Sequence, residues 1–189
     1  MPRLPTVEER PAGLGYVAEL LASEEERAAL SAIDDVAFDE IRMHGVVAKR
    51  TAKHYGVDYD YERRGVIEAA EPVPDWILPI RVKAAQLAEL DPEDLVEVLV
   101  QRYPEGAQIS WHRDAPAFGT VVGASLLAPA RMRFRRDKGG VRRTFELELP
   151  PRSGYVLAGE ARTAWQHHVP PTKSLRYSIT FRTLRKRSS

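Results

Sequence analysis

Tyr177-Ser-Ile-Thr-Phe-Arg182 alternates apolar and polar side chains, and Thr183-Leu184 closes the run. A period of two is the spacing of a β-strand with one face toward a core, so Ser178, Thr180 and Arg182 share one face. Phe145-Glu-Leu-Glu-Leu149 repeats the pattern, with apolar odd positions and acidic even ones. Working outward, Leu95–Tyr103, Val121–Leu127, Arg131–Arg135 and Tyr155–Leu157 also read as short strands, and the Phe145 run extends back to Thr144. Pro104-Glu-Gly106, Gly139-Gly140, Pro150-Pro151 and Pro170-Pro171 punctuate them. Many short strands separated by turn signals predict a β-sandwich or small barrel.

The first half of the chain has a different character. Ser23-Glu-Glu-Glu26 has the form of a capping box, with Ser23 accepting from the helix start and Glu26 reaching back. Ala28, Ala29, Leu30 and Ile33 continue that helix, and Asp75-Trp-Ile-Leu-Pro79 opens a second that Asp91-Pro92 stops. The helices precede the strands and are predicted to buttress one sheet, giving an α+β fold. Residues 1–12, rich in Pro and charge, are expected to be loose.

The 189 residues are 43% hydrophobic and 29% charged, which excludes wholesale disorder and suits a single domain over 1–189. The absence of Cys excludes a disulfide framework, a zinc-thiolate site, an iron–sulfur cluster and a thiol nucleophile. No apolar run follows the N-terminus and none approaches a membrane span, so a cytoplasmic monomer is expected. Net charge is only +1, but Arg131–Arg143 is dense in Arg and Lys, with Asp137 its one acid, and the C-terminal Leu184-Arg-Lys-Arg-Ser-Ser189 is basic too. Such runs suit either a solvated face or an anionic partner such as nucleic acid.

Trp111-His-Arg-Asp114 carries the most chemistry. In an extended segment His112 and Asp114 point to one side and could share a metal ion, with His167 or His168 as a third ligand. Two His and one carboxylate form the facial arrangement that leaves positions open on Fe(II). For an isolated H-x-D, a surface turn is the alternative. Arg176 falls on the same face as Ser178 and Arg182. Two arginines near a core are costly unless something anionic pairs with them, and a dicarboxylate co-substrate would do so bidentately. Surface arginines on an edge strand are the alternative here.

Together, His112-Arg-Asp114, His167 and Arg176-Tyr-Ser-Ile-Thr-Phe-Arg182 resemble the signature of the AlkB family of Fe(II)- and 2-oxoglutarate-dependent dioxygenases: H-x-D, a distal His, then R-x-(N/S)-x-T-x-R. Gln101-Arg-Tyr-Pro-Glu-Gly-Ala107, Val121-Val-Gly-Ala-Ser-Leu126 and Tyr155-Val-Leu-Ala-Gly159 extend the resemblance over residues 95–185. Met43-His-Gly45 and Tyr55-Gly56 resemble the substrate lid of some members more thinly. The resemblance implies a double-stranded β-helix (jelly-roll) core over 93–185, with N-terminal helices and a lid over 13–92 and the metal inside the barrel mouth. It implies Fe(II), held by His112, Asp114 and His167, with 2-oxoglutarate and O2 as co-substrates. His167 is preferred to His168 because Val169-Pro170 then matches the family spacing. Arg176 matches the residue that pairs with the distal carboxylate of 2-oxoglutarate, Ser178 its support, and Arg182 a second arginine nearer the metal. Tyr103 matches a tyrosine that hydrogen-bonds the co-substrate, and Gln101 stands where many members carry Asn. No catalytic residue beyond the metal centre is implied.

The implied reaction hydroxylates an N-alkyl carbon of a nucleobase while 2-oxoglutarate becomes succinate and CO2; the hemiaminal then releases an aldehyde. The partner that the resemblance implies is single-stranded DNA or RNA with N-alkylated bases. Tyr55, Tyr59 and Tyr61 are candidates to stack on the base, and Lys49, Arg50, Lys53 and Arg133 to meet phosphates. Pro116 stands where several repair members carry an acidic residue that reads the base, so either base identity is read elsewhere or the substrate is not a methylated adenine or cytosine. A 2-oxoglutarate-dependent hydroxylase or demethylase of a protein or small molecule, and a non-catalytic nucleic-acid-binding module, are the competing functions.

Overall fold

The computed structural model describes residues 4–43, 45–60, 62–69 and 71–185. Strands β1 (Thr6–Glu8) and β2 (Leu14–Val17) lead into helix α1 (Ser23–Ile33). Next come β3 (Asp39–Met43), β4 (Val46–Asp60), β5 (Gly65–Glu68), a 3-10 turn over Asp75–Ile77 and α2 (Leu78–Ala88). The remainder is β6 (Glu97–Tyr103), β7 (Ile109–His112), β8 (Phe118–Leu126), β9 (Ala130–Lys138), β10 (Val141–Leu149), β11 (Gly154–Leu157), the short α3 (Gly159–Thr163), β12 (Gln166–Val169) and β13 (Arg176–Leu184).

The strands form two sheets. The larger runs β2-β11-β8-β13-β6-β4-β3, with β5 on β4, and the smaller runs β1-β10-β9-β12-β7. Alternation along the strands builds two cores. Tyr177, Ile179 and Phe181 of β13, Val122, Ala124 and Leu126 of β8, and Val98 and Val100 of β6 pack with Ile33 of α1 and Ile80, Ala84 and Ala85 of α2. The opposite faces meet the smaller sheet: Tyr103, Val121, Tyr155 and Leu157 pack with Met132, Phe134, Leu147, Leu149 and Trp165. The polar face of β13 therefore points between the sheets, with Arg176, Ser178 and Thr180 buried. This is the expected α+β jelly roll, with helices against the outer face of the larger sheet.

The first half departs from its sequence reading. Residues 13–92 hold four strands as well as two helices, and β4 alone runs for 15 residues. Thr6–Glu8, expected to be loose, pairs in parallel with Arg142–Thr144 of β10. The capping box sits one residue earlier than predicted. Glu25 accepts the Ala22 N–H at 2.7 Å, Ser23 opens the helix, and Glu26 accepts the Leu127 N–H at 2.9 Å. That last bond ties α1 to the end of β8, which explains why Glu26 is not spent on the cap.

Phe181 is fully buried on the helix side of β13. Phe181→Ala should lower the unfolding free energy by about 3–5 kcal/mol through lost burial and a cavity. Urea denaturation should show it as a lower midpoint with an unchanged slope.

Candidate metal centre and co-substrate pocket

Strands β7 and β12 are antiparallel neighbours and pair His112 directly with His167. Both rings turn between the sheets, with centroids 4.2 Å apart. Asp114 lies just beyond β7, and its Oδ1 is 3.5 Å from His112 Nε2 and 3.7 Å from His167 Nε2. One ligand atom from each of the three falls within 4.8 Å of the others, so together they could hold one metal ion. His168 turns to the other face of β12. There its Nδ1–H donates to the Ile109 carbonyl at 2.7 Å and its ring packs on Trp111.

The protonation states suit a metal. His112 Nδ1 lies 2.7 Å from the Ser110 carbonyl, which can only accept, so Nδ1 carries a proton and Nε2 is the nitrogen that faces Asp114. Burial pushes the His167 pKa down to about 3, leaving the ring neutral. Burial alone would raise the Asp114 pKa, but Arg182 and the two His hold the carboxyl well below its usual value.

Arg182 is the organising cation. Its Nε donates to Asp114 Oδ2 at 3.2 Å and its Nη1 to both Glu97 oxygens at 2.9 and 2.7 Å. Burial works against its charge, yet Glu97 and Asp114 together hold its pKa above the ordinary arginine value. Two of its nitrogens, Nε and Nη1, thus bond to the protein's own carboxylates. Glu97, 1% exposed, is a functional candidate that the sequence reading missed. Its signal was visible: one acid inside the apolar run Leu95–Val100. Arg162 was also missed. It donates to the carbonyls of Ala115, Phe118 and Gly119 and so fixes the loop that follows Asp114. Nothing in its surroundings in the sequence marks it.

Arg176 is different. It is 2% exposed, its Nη2 donates to Ser125 Oγ at 3.0 Å, and its Nε has no partner. Among the described residues no carboxylate bonds to it, and burial pushes its pKa below the ordinary value. Its guanidinium lies 4.7 Å from the Tyr103 ring centroid. Gln101, in register with Ser178, accepts from Arg50 Nη1 at 2.9 Å and lies 3.5 Å from the Tyr103 hydroxyl. The structure therefore gathers Gln101, Tyr103, Arg176 and Ser178 on one inter-sheet wall.

The lid candidates separate. Tyr55 is 5% exposed and packs into the helix-side core, away from the metal centre, because its face of β4 is the outer face of the larger sheet. Lys53 shares that face and pairs with Glu71 at 2.7 Å. Arg50, expected to meet phosphates, is on the inner face, buried against Gln101, while the neighbouring Lys49 is exposed. Tyr59 lies 6.2 Å from the Phe118 ring, which in turn lies under Arg182. Tyr61 is outside the described residues. Arg133 is held by Glu146 at 2.8 Å, and Pro116 is exposed.

Three outcomes follow from this geometry. His167→Ala should abolish divalent metal binding in calorimetry, whereas His168→Ala should retain it. Glu97→Gln should weaken metal binding about ten- to a hundred-fold by loosening Arg182 and hence Asp114, as loss of a supporting partner does at other metal sites. Because the His167 pKa falls from 6.5 to about 3 on folding, the unfolded chain binds more protons between those values. The metal-free protein should therefore lose stability as pH drops below about 6.5, by up to about 1.4 kcal/mol per pH unit. Thermal melts across that range, with His167→Gln removing the slope, would check it.

A family model described as the 2OG-Fe(II) oxygenase superfamily matches residues 17–182. The chain is 30% identical over 185 residues to the Arabidopsis thaliana protein described as "Alkylated DNA repair protein ALKBH8 homolog", covering 85% of this chain and 51% of that one. It is 31% identical over 172 residues to the Xenopus tropicalis "tRNA (carboxymethyluridine(34)-5-O)-methyltransferase alkbh8", covering 86% of this chain and 26% of that one. The chain thus spans between about a quarter and half of these relatives' lengths. Among solved structures, OsALKBH1 superposes with a TM-score of 0.66 at 17% identity over 93% of this chain and 98% of that one. A Pseudomonas putida prolyl-4-hydroxylase gives 0.55 at 19% over 93% and 94%, so the fold is shared beyond any one substrate. With that match and with AlkB-type proteins among its relatives, the chain belongs to the 2OG-Fe(II) oxygenase superfamily, and its His112–Asp114–His167 cluster suits the Fe(II) that the family name carries.

Proposed function

We propose that the protein oxidises an N-alkyl group on a base of single-stranded DNA or RNA, leading to dealkylation. The observation that carries the catalytic half is the pairing of two features in one inter-sheet space. One is the His112–Asp114–His167 cluster, and the other is a buried arginine, Arg176, with a free Nε and no carboxylate. The donor set of two imidazoles and one carboxylate fits Fe(II), and a buried guanidinium without a counter-ion fits a carboxylate that arrives with the co-substrate. In this assignment His112, Asp114 and His167 hold the iron. Arg176 pairs with the distal carboxylate of 2-oxoglutarate, Ser178 and Tyr103 line that end of the pocket, and Gln101 is fixed by Arg50. Bound iron, with 2-oxoglutarate and O2, supplies the oxidising chemistry; the chain positions the reactants and keeps the ligands deprotonated.

The substrate half rests on the relatives, described as an alkylated-DNA repair homologue and a tRNA-modifying enzyme, and on the aromatic pair Tyr59–Phe118 beside Arg182. An extruded base held by stacking near a metal is the general solution for chemistry on a nucleobase. The prolyl-hydroxylase likeness speaks for the fold alone.

The deciding assay supplies Fe(II), 2-oxoglutarate and O2 with methylated single-stranded DNA, RNA or tRNA. Succinate and formaldehyde should appear together, and only with the methylated polymer. Succinate without any formaldehyde or oxidised base across all three polymers would sink the nucleobase reading and leave the oxygenase intact. Arg176→Ala should raise the 2-oxoglutarate concentration needed by about ten- to a hundred-fold, the worth of a lost charge-assisted pair, while metal affinity stays at the parent value.

A further inference from the structure

The outer face of the ligand-bearing sheet carries a groove of about 300 Å³, lined by Arg113, Arg135, Arg136, Asp137, Arg142 and Gln166 among others. Four guanidinium groups share it with one carboxylate. Asp137 is taken up by Arg142 through bonds of 2.8 and 2.7 Å, and Arg136 is paired outside the lining with Glu160 at 2.8 Å. The other two have no carboxylate. Arg135 Nε donates to the neutral Gln166 Oε1 at 2.9 Å, and its guanidinium lies 4.3 Å from the Trp111 ring centroid. Arg113 is exposed and has no ion pair or side-chain hydrogen bond among the described residues. The groove also adjoins the metal centre: Arg113 lies between His112 and Asp114, and Gln166 precedes His167. Consecutive Cα atoms are about 3.8 Å apart, so the groove is the reverse side of the ligand segments, one chain step from the metal.

We propose that this groove binds the phosphodiester backbone of single-stranded nucleic acid, with the base of an adjoining nucleotide turned over the rim toward the metal centre. The proposal rests on the nucleobase reading above and places its phosphate contacts. Arg113 and Arg135 supply charge with no carboxylate hydrogen-bonded to it among the described residues, and the planar fork that matches phosphate oxygens. The Arg135–Trp111 stack holds one fork rigid at the groove wall. The half-exposed Asp137 holds the half-exposed Arg142 at the surface, and such an exposed pair is worth little, so an incoming phosphate can compete for it, whereas Arg136 is largely covered and stays with Glu160. The phosphate contacts thereby move from Lys49 and Arg50 to the opposite sheet.

The test is binding of an alkylated single-stranded oligonucleotide to the metal-loaded protein over a range of salt concentrations. Each of Arg113→Ala and Arg135→Ala should lower the slope of log affinity against log salt by about 0.7, and the double variant by about 1.4. Arg27→Ala, an exposed arginine on α1, should leave the slope unchanged. An oligonucleotide with an uncharged methylphosphonate backbone should bind parent and double variant alike. Should Arg113→Ala unfold the ligand loop, Arg113→Lys keeps the charge and should hold the parental slope. A parental slope in a folded double variant overturns the groove, as does equal displacement of the oligonucleotide by a polyglutamate peptide of matched charge. If the parent oxidises alkylated oligonucleotide while the double variant keeps its slope, the groove alone is wrong. If the parent neither binds nor oxidises any alkylated nucleic acid, the nucleobase reading falls and takes the groove with it.

Discussion

A single guanidinium shared by two buried carboxylates sets the geometry of this molecule. Arg182 joins Asp114, on the loop after β7, to Glu97 at the start of β6, and Arg182 and Glu97 are direct partners across β13 and β6. Asp114 therefore belongs to a loop by sequence but is fixed by the larger sheet. The two His come from the smaller sheet. The metal cluster is thus assembled across both layers, and Arg182 is the tie that holds the layers in register at that point. Removing one member of such a buried set leaves an uncompensated charge, which costs more than the intact set gains. This is why Glu97, which touches neither metal nor substrate, belongs to the working site.

Among the buried arginines between the sheets, Arg162 is satisfied by three carbonyls and Arg182 by the carboxylates of Asp114 and Glu97. The unbalanced cation with an orphaned nitrogen is Arg176. A protein interior tolerates that arrangement only where an anion is part of the working state. A dicarboxylate whose far end meets Arg176 and whose near end approaches the metal would balance the wall, which links the co-substrate's chemistry to the strand that carries it.

The catalytic half of the fold was legible because β13 turns an apolar face to the helices and a polar face to the site, so its side chains alternate. On β13 the odd residues meet helices and the even residues meet the site, so the period-two pattern alone sorted core from chemistry. The choice of His167 over His168 came from the Val169-Pro170 spacing of the resemblance, and the structure adds a physical reason: neighbours on β12 face opposite ways. Short edge elements were not legible. The exposed strand β1 is defined by its pairing with β10, and nothing in its own three residues announces a strand. Likewise the basic run over 131–143 read as one feature, but the structure divides it. Arg131 and Arg133 are spent on Glu146 and Glu148 across the hairpin, while Arg135 and Arg142 line the groove. Charge density is a property of sequence; free charge depends on what the neighbouring strand supplies.

The lid shows the limit most clearly. Counting by two places Tyr55 and Tyr59 on one face, yet Tyr55 packs among the helices and Tyr59 packs against Phe118 near the metal centre. The break lies at Gly56. Its φ is +78°, and a Cβ there would collide with the Val96 carbonyl, so only glycine fits. The ladder to β6 ends at Gly56 and the ladder to β5 begins at Val57. The single long strand β4 is therefore two strands in function: one half belongs to the sheet and its helical core, and the other to a hairpin that reaches over the barrel mouth. A glycine inside a strand pattern signals a bulge or a close backbone approach, and that signal decides which tyrosine can meet a substrate.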